Sequence, residues 1–170
     1  IFCSNENFDK IEYDDLFRGT DADIYIPLWA SVIVNPDGLL FDETTLDVIK
    51  TYKANGYSCI DMEGNPEDYI GQLFRFVSYM ASSLVKHKDD DRAKTLVAFF
   101  EAYLEPVADF VKEKVKEYGK SSSMLEIADF LDRFLKKDYS FGTYDAFPDV
   151  IENILQLVRN RSDVVIHHDS

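Results

Sequence analysis

The side chains in this chain best suited to acid–base, nucleophilic or metal chemistry are three histidines and two cysteines, and none is spaced for it. His87 stands between Lys86 and Lys88 at the end of an apolar helical pattern, while His167 and His168 fall among the last residues. Cys3 and Cys59 are too few and too isolated for a zinc site or a disulfide framework, a usage consistent with a reducing cytoplasm. A Ser-His-acid or Cys-His arrangement would depend on the fold to assemble it, and no spacing speaks for one. Helical E-x-x-H pairs are absent. With 7 glycines and neither a P-loop nor G-x-G-x-x-G, a phosphate cradle is not expected either. The sequence therefore predicts no catalytic residue, no metal and no cofactor.

What does cluster is carboxylate. Asp61, Glu63, Glu67 and Asp68 surround one loop and the helix start that follows it. Asn65 is placed to cap that helix, Pro66 suits its first position, and Glu67 and Asp68 favour the positive end of the helix dipole. Ile70, Leu73, Phe74, Val77, Ala81 and Leu84 then recur at helical spacing, so the pattern predicts one helix over 66–87 with a single buried face. Capping alone accounts for Asp68 at the third helical position.

The elements around this segment are also helical. A first helix is expected over 8–17, stopped near Gly19. Residues 20–40 are the least regular, broken by Pro27 and the Pro36-Asp37-Gly38 turn, with a short strand signal at 31–34. Asp42 caps the next helix, which runs to about Gly56, with Phe41 and Leu46 placed as a hydrophobic staple. Past the charged break at 88–92, a stripe from Ala93 to Val115 is interrupted by Pro106, so a kink or a division into two helices is expected. Ser123 and Glu126 read as a capping box for a fifth helix, and a last one is expected from about Pro148 to Arg159, before a loose tail over 161–170. The expected architecture is an all-α, single-domain helical bundle of about six or seven helices over residues 1–170.

The bulk numbers restrict the partners. There are 18 basic against 32 acidic residues, a net charge of −14, which argues against duplex nucleic acid. An acidic surface favours cationic partners, or simply solubility. No apolar run approaches the roughly 18 residues needed to cross a bilayer, so no stable membrane insertion is expected. The chain opens on Ile1 without Met and without the basic and apolar regions of a secretory signal. A cut native N-terminus, or numbering that begins inside a longer chain, is expected.

Four segments, spanning roughly residues 12–110, resemble in order the motifs of the TorD/DmsD/NarJ family of redox-enzyme maturation chaperones. Tyr13-Asp14-Asp15-Leu16-Phe17-Arg18-Gly19 is similar to D-Y-x-x-L-F-x-G, and Pro27-Leu28-Trp29-Ala30-Ser31-Val32 to P-x-W-E-S-V, with Ala30 replacing the acid. Asn65-Pro66-Glu67-Asp68-Tyr69 stands for E-P-x-D-H, and Tyr103-Leu104-Glu105-Pro106-Val107 for H-L-x-P-W. Both family histidines are tyrosines here. Tyrosine keeps a hydroxyl and an aromatic face but does not titrate near neutral pH, so any role resting on a switchable imidazole is not carried over. The family's usual one or two preceding helices are missing from this segment.

The resemblance implies a TorD-like bundle. It further implies a cytoplasmic, non-enzymatic chaperone that holds a molybdopterin oxidoreductase precursor by its twin-arginine signal peptide until the cofactor is in place. A monomer or a helix-swapped dimer is compatible with it. Such a peptide offers paired arginines followed by an apolar stretch, which calls for an apolar groove with carboxylates at its mouth. The resemblance puts Asp61, Glu63, Glu67 and Asp68 at the acidic end. Tyr25, Trp29, Tyr69, Tyr103 and Leu104 would form the wall, with Pro66 and Pro106 in the matching motifs. The alternative is an acidic helical module that docks a basic partner and has no part in export.

Overall fold

In a computed structural model the described residues are 9–59, 64–87 and 89–136. They form seven α-helices and one π-helical turn: α1 (Lys10–Arg18), α2 (Ala30–Val34), α3 (Glu43–Ala54), α4 (Ile70–Lys86), α5 (Asp90–Phe99), the π turn (Phe100–Leu104), α6 (Glu105–Tyr118) and α7 (Ser122–Lys136). The chain is an all-α bundle, as the pattern predicts. The helix expected from about Pro148 and the loose tail lie outside the described residues.

Short-range chemistry sets most of the ends. Asp9 accepts from Glu12 N–H at 3.0 Å to start α1, and Gly19 ends it in the left-handed region at φ 72°. Asp42 accepts from Thr44 N–H at 2.9 Å to start α3, and Asp89 accepts from Arg92 N–H at 3.0 Å to start α5. The expected staple on α3 does not form a buried contact: Phe41 takes φ 61° and both it and Leu46 stay exposed.

Long-range contacts override three sequence expectations. Residues 31–34 form the helix α2 rather than a strand, because a carboxylate distant in sequence caps their first turn. The helix expected from Pro66 begins instead at Ile70: Tyr69 is held extended, and the Ile70 N–H donates to the Leu28 carbonyl at 2.8 Å. The box at Ser123 and Glu126 is replaced by Ser121, whose hydroxyl accepts from Met124 N–H at 3.3 Å. Glu12 of α1 reinforces this cap, accepting from the N–H groups of Lys120 and Ser121. Ser123 is buried, and its hydroxyl accepts from Asp9 N–H at 3.4 Å.

The expected break at Pro106 is a widening of the helix. Proline lacks the N–H that would meet the carbonyl four residues back, and its ring presses on that turn. Here the preceding turn is wound as a π-helix, with Glu105 N–H donating to the Phe100 carbonyl. The wider turn accommodates the ring and lets α5 run on into α6.

Helix α4 is buried over a wider arc than one stripe. Leu73, Phe76, Val77, Met80, Ala81 and Leu84 are all core residues, while Ile70 and Phe74 are half-buried. Phe76 sits 4.6 Å from Phe99 and 4.7 Å from Tyr52, ring centre to ring centre, which joins α3, α4 and α5. A second aromatic group, Phe74, Phe100 and Phe134, joins α4, the π turn and α7 at 5.1 and 5.8 Å.

Two outcomes follow from this packing. Phe76→Ala empties the centre of the first group and is expected to lower unfolding free energy by about 3–5 kcal/mol. Val85→Ala, on an exposed position of α4, stays within about 0.5 kcal/mol; urea titration followed by far-UV circular dichroism compares the two. Partial desolvation, with the Glu101 and Asp109 charges on either side, raises the carboxyl of the exposed Glu105 above its usual range. A raised folded value means that the contribution is whole below the unfolded pKa and is lost as pH rises through the folded one. Glu105→Gln is therefore expected to raise the melting midpoint at neutral pH, and the gain should vanish at a pH low enough to protonate Glu105 in both the folded and the unfolded chain.

Candidate functional site

Two motif segments that lie far apart in sequence meet through the backbone. Trp29 and Tyr69 form an isolated antiparallel bridge, in which Ala30 N–H donates to the Asp68 carbonyl at 3.1 Å and Ile70 N–H to Leu28. The Trp29 and Tyr69 rings lie 6.2 Å apart, tilted by 55°. Gly71 allows this: a Cβ there would come within 2.9 Å of the Tyr69 ring.

Asp68 is 0 % exposed. Its Oδ2 accepts from Ser31 N–H at 2.7 Å, which makes it the cap of α2. This corrects the expectation of a carboxylate at the groove mouth, because the side chain is drawn inward by an N–H group that would otherwise be unpaired. Asp68 Oδ1, Trp29 Nε1 and Ser31 Oγ are buried without a hydrogen-bond partner among the described residues. Buried polar atoms are ordinarily satisfied, so the junction of α2 with the 65–69 turn carries unusual unspent polarity.

The rest of the 65–69 turn is anchored from α3 and α4. Tyr52 donates its hydroxyl to the Glu67 carbonyl at 3.2 Å, and burial pushes that hydroxyl well above its ordinary range. Tyr57 donates to Gln72 at 3.3 Å. Pro66 is buried and Glu67 half-buried. Asp61 and Glu63 lie outside the described residues.

The remaining candidates lie on two other segments. Tyr25 is half-buried against Gly19, whose Cβ would meet its ring at 3.4 Å. Tyr103, in the π turn, packs 5.1 Å from Phe99 and lies in electrostatic range of Asp47 and Lys50 on α3; burial raises its hydroxyl. Leu104 is wholly buried in the core and not on an exposed groove wall. Pro106 is half-buried. The structure thus gathers Trp29, Pro66, Glu67, Asp68 and Tyr69 at one junction, while the π turn and α6, which carry Tyr103, Leu104 and Pro106, pack against α2 beside it and Tyr25 packs on Gly19. Ser31, Tyr52 and Gly71 complete the junction without having been singled out. A glycine inside so apolar a helical pattern was the one sequence signal for a close approach.

Burial, followed by the Glu67 charge, pushes the Cys59 thiol up to about 11, so it stays protonated near neutral pH and is a poor nucleophile. Among the described residues no His, Cys, Asp and Glu gather as metal ligands, and no helix is long and apolar enough to cross a membrane.

Comparison with known proteins gives one family. The family described as nitrate reductase delta subunit matches residues 10–112, from α1 into α6. No match was found among curated proteins or among solved structures. The matched region covers more than half of the 170 residues and contains all four motifs, including both partners of the Trp29–Tyr69 bridge. The chain therefore belongs to the nitrate reductase delta subunit family, the NarJ/TorD-like chaperones that mature molybdenum enzymes.

Proposed function

We propose that this protein acts in the cytoplasm as the maturation chaperone of a molybdopterin oxidoreductase. It would hold the twin-arginine signal peptide of the precursor at the face around Trp29 and Tyr69 until the cofactor is inserted. The observation that carries this reading is the bridge itself. Two family motifs are brought to one place by backbone hydrogen bonds, and an aromatic pair and the half-buried Glu67 stand beside them.

Magnitudes assign the roles. Each methylene buried from the peptide contributes about 0.8 kcal/mol, whereas an exposed ion pair contributes about 0–1 kcal/mol. The aromatic pair therefore sets affinity, and Glu67 with its neighbouring acids sets the direction in which the peptide lies. Asp68 acts as a positioning residue, because its carboxylate holds α2 against the 65–69 turn.

An acidic module docking a basic protein, with no part in export, is the second reading. Glu101, Glu105 and Asp109, four residues apart along one helical face, favour it. Co-purification separates the two: the chaperone reading requires capture of the precursor to depend on its leader.

The peptide reading is checked by calorimetric titration of a synthetic twin-arginine leader. Trp29→Ala with Tyr69→Ala is expected to weaken binding by at least about tenfold, or about 1.4 kcal/mol, at unchanged helix content. Serines in the leader's apolar stretch should cost more than replacement of both arginines by glutamine, and the reverse order would overturn the assignment of roles. Asp68→Ala is expected to lose about 1.5–3 kcal/mol of stability, since Ser31 N–H loses a charged acceptor. Asp68→Asn should keep most of that stability and full peptide affinity; a selective loss of affinity would instead make Asp68 a direct arginine ligand.

A further inference from the structure

Four successive carbonyls of the turn ahead of α4 each hold a donor. Pro66 accepts from Tyr69 N–H at 3.1 Å, Asp68 from Ala30 N–H at 3.1 Å, and Tyr69 from Gln72 N–H at 2.8 Å. Glu67 accepts from the Tyr52 hydroxyl at 3.2 Å. Three of these donors are backbone groups, which every residue except proline supplies. The fourth is a side chain of α3, so the hold on the Glu67 carbonyl is the one that a substitution can remove by itself. Tyr52 is well fixed for that contact. It is 2 % exposed, and its ring centre lies 4.7 Å from Phe76 and 5.8 Å from Phe99. Tyr57 N–H donates to its carbonyl at 2.9 Å. Burial raises its hydroxyl, which therefore stays protonated and donates, and the Asp68 and Glu67 charges both act on it.

We propose that Tyr52 is a positioning residue of the leader site, holding Glu67 in the orientation that meets an arginine of the peptide. The assignment rests on the signal-peptide reading and adds to it a buried residue that the peptide does not touch. The Glu67 carbonyl, the Asp68 N–H and the Cα atoms of both residues lie in one rigid peptide plane. The Tyr52 hydroxyl fixes that plane from α3, and Ala30 N–H fixes the next one from the start of α2. Without the hydroxyl the first plane can turn, and the Glu67 side chain turns with it.

The aromatic pair does not depend on this contact. Trp29 and Tyr69 are joined by the backbone bonds of Ala30 to Asp68 and of Ile70 to Leu28, which the loss of a hydroxyl on α3 leaves in place. Removing the Tyr52 hydroxyl should therefore separate the two parts of recognition: the arginine-dependent part is lost and the apolar part is kept. A residue that served folding alone would weaken both together.

Calorimetric titration of the full chain with two leaders tests this: the twin-arginine peptide, and the same peptide with both arginines replaced by glutamine. Tyr52→Phe keeps the ring and loses only the hydroxyl. It is expected to weaken the twin-arginine leader by about fivefold, the upper end of what one exposed ion pair contributes, and to leave the glutamine leader within about twofold. Glu67→Gln should cost the twin-arginine leader the same factor, and the double variant no more than either single one. Tyr79→Phe removes a hydroxyl that joins α4 to the end of α3 away from the turn, at the Asn55 carbonyl, and should change neither affinity. Without any peptide, hydrogen exchange at the Tyr69 amide should quicken by about tenfold in Tyr52→Phe while that at Met80 is unchanged. Equal losses for the two leaders, an unchanged twin-arginine affinity, or unchanged exchange at Tyr69 would each overturn the assignment and leave the signal-peptide reading standing. A twin-arginine leader that fails to bind the wild-type chain overturns that reading, and the assignment with it.

Discussion

The candidate site depends on one hydrogen bond, the 2.7 Å contact from the Ser31 N–H to Asp68 Oδ2. An α-helix leaves its first N–H groups unpaired, and α2 is only five residues long, too short to form without help. The buried carboxylate supplies that help, and in doing so ties the Trp29 segment to the turn ahead of α4. The aromatic pair and the start of α4 at Ile70 follow from the same contact. A buried charge is costly unless paired or well hydrogen-bonded, yet one of its oxygens has no partner among the described residues. That combination of a firm anchor and unspent polarity is what distinguishes this junction from the remainder of the core.

Helix ends elsewhere are closed in the same currency. Glu12 joins α1 to the first turn of α7. The Arg92 guanidinium, near the start of α5, donates to Ser83 on α4 and to the Asn55 carbonyl after α3. Tyr79 reaches the same carbonyl at 3.1 Å. These long-range caps and the two aromatic groups around Phe76 and Phe134 leave a bundle whose interior is mainly apolar. Apart from Asp68, the buried polar residues Ser31, Thr45, Gln72 and Ser123 are uncharged.

The proposed function rests on surface arrangement rather than on reactive groups. The thiol of Cys59 is held protonated, and burial raises the Tyr103 hydroxyl above its ordinary range. Tyr69 serves the bridge, while the Tyr103 ring packs on Phe99 of α5. Neither position needs a titrating ring for those contacts.

The sequence by itself determined the helical class, the stop at Gly19, the cap at Asp42, and an interruption at Pro106. Each of these is chemistry between residues a few positions apart. The motif match also named the segments that meet at the site. Tertiary structure alone decided that 31–34 is a helix, that α4 starts at Ile70, that Asp68 points inward, and that Leu104 is core. Each of those depends on a partner far along the chain or on helix winding: Ser31 is 37 residues from Asp68, and Glu12 is 109 from Ser121. Local patterns record which groups need a partner; only packing brings that partner within reach.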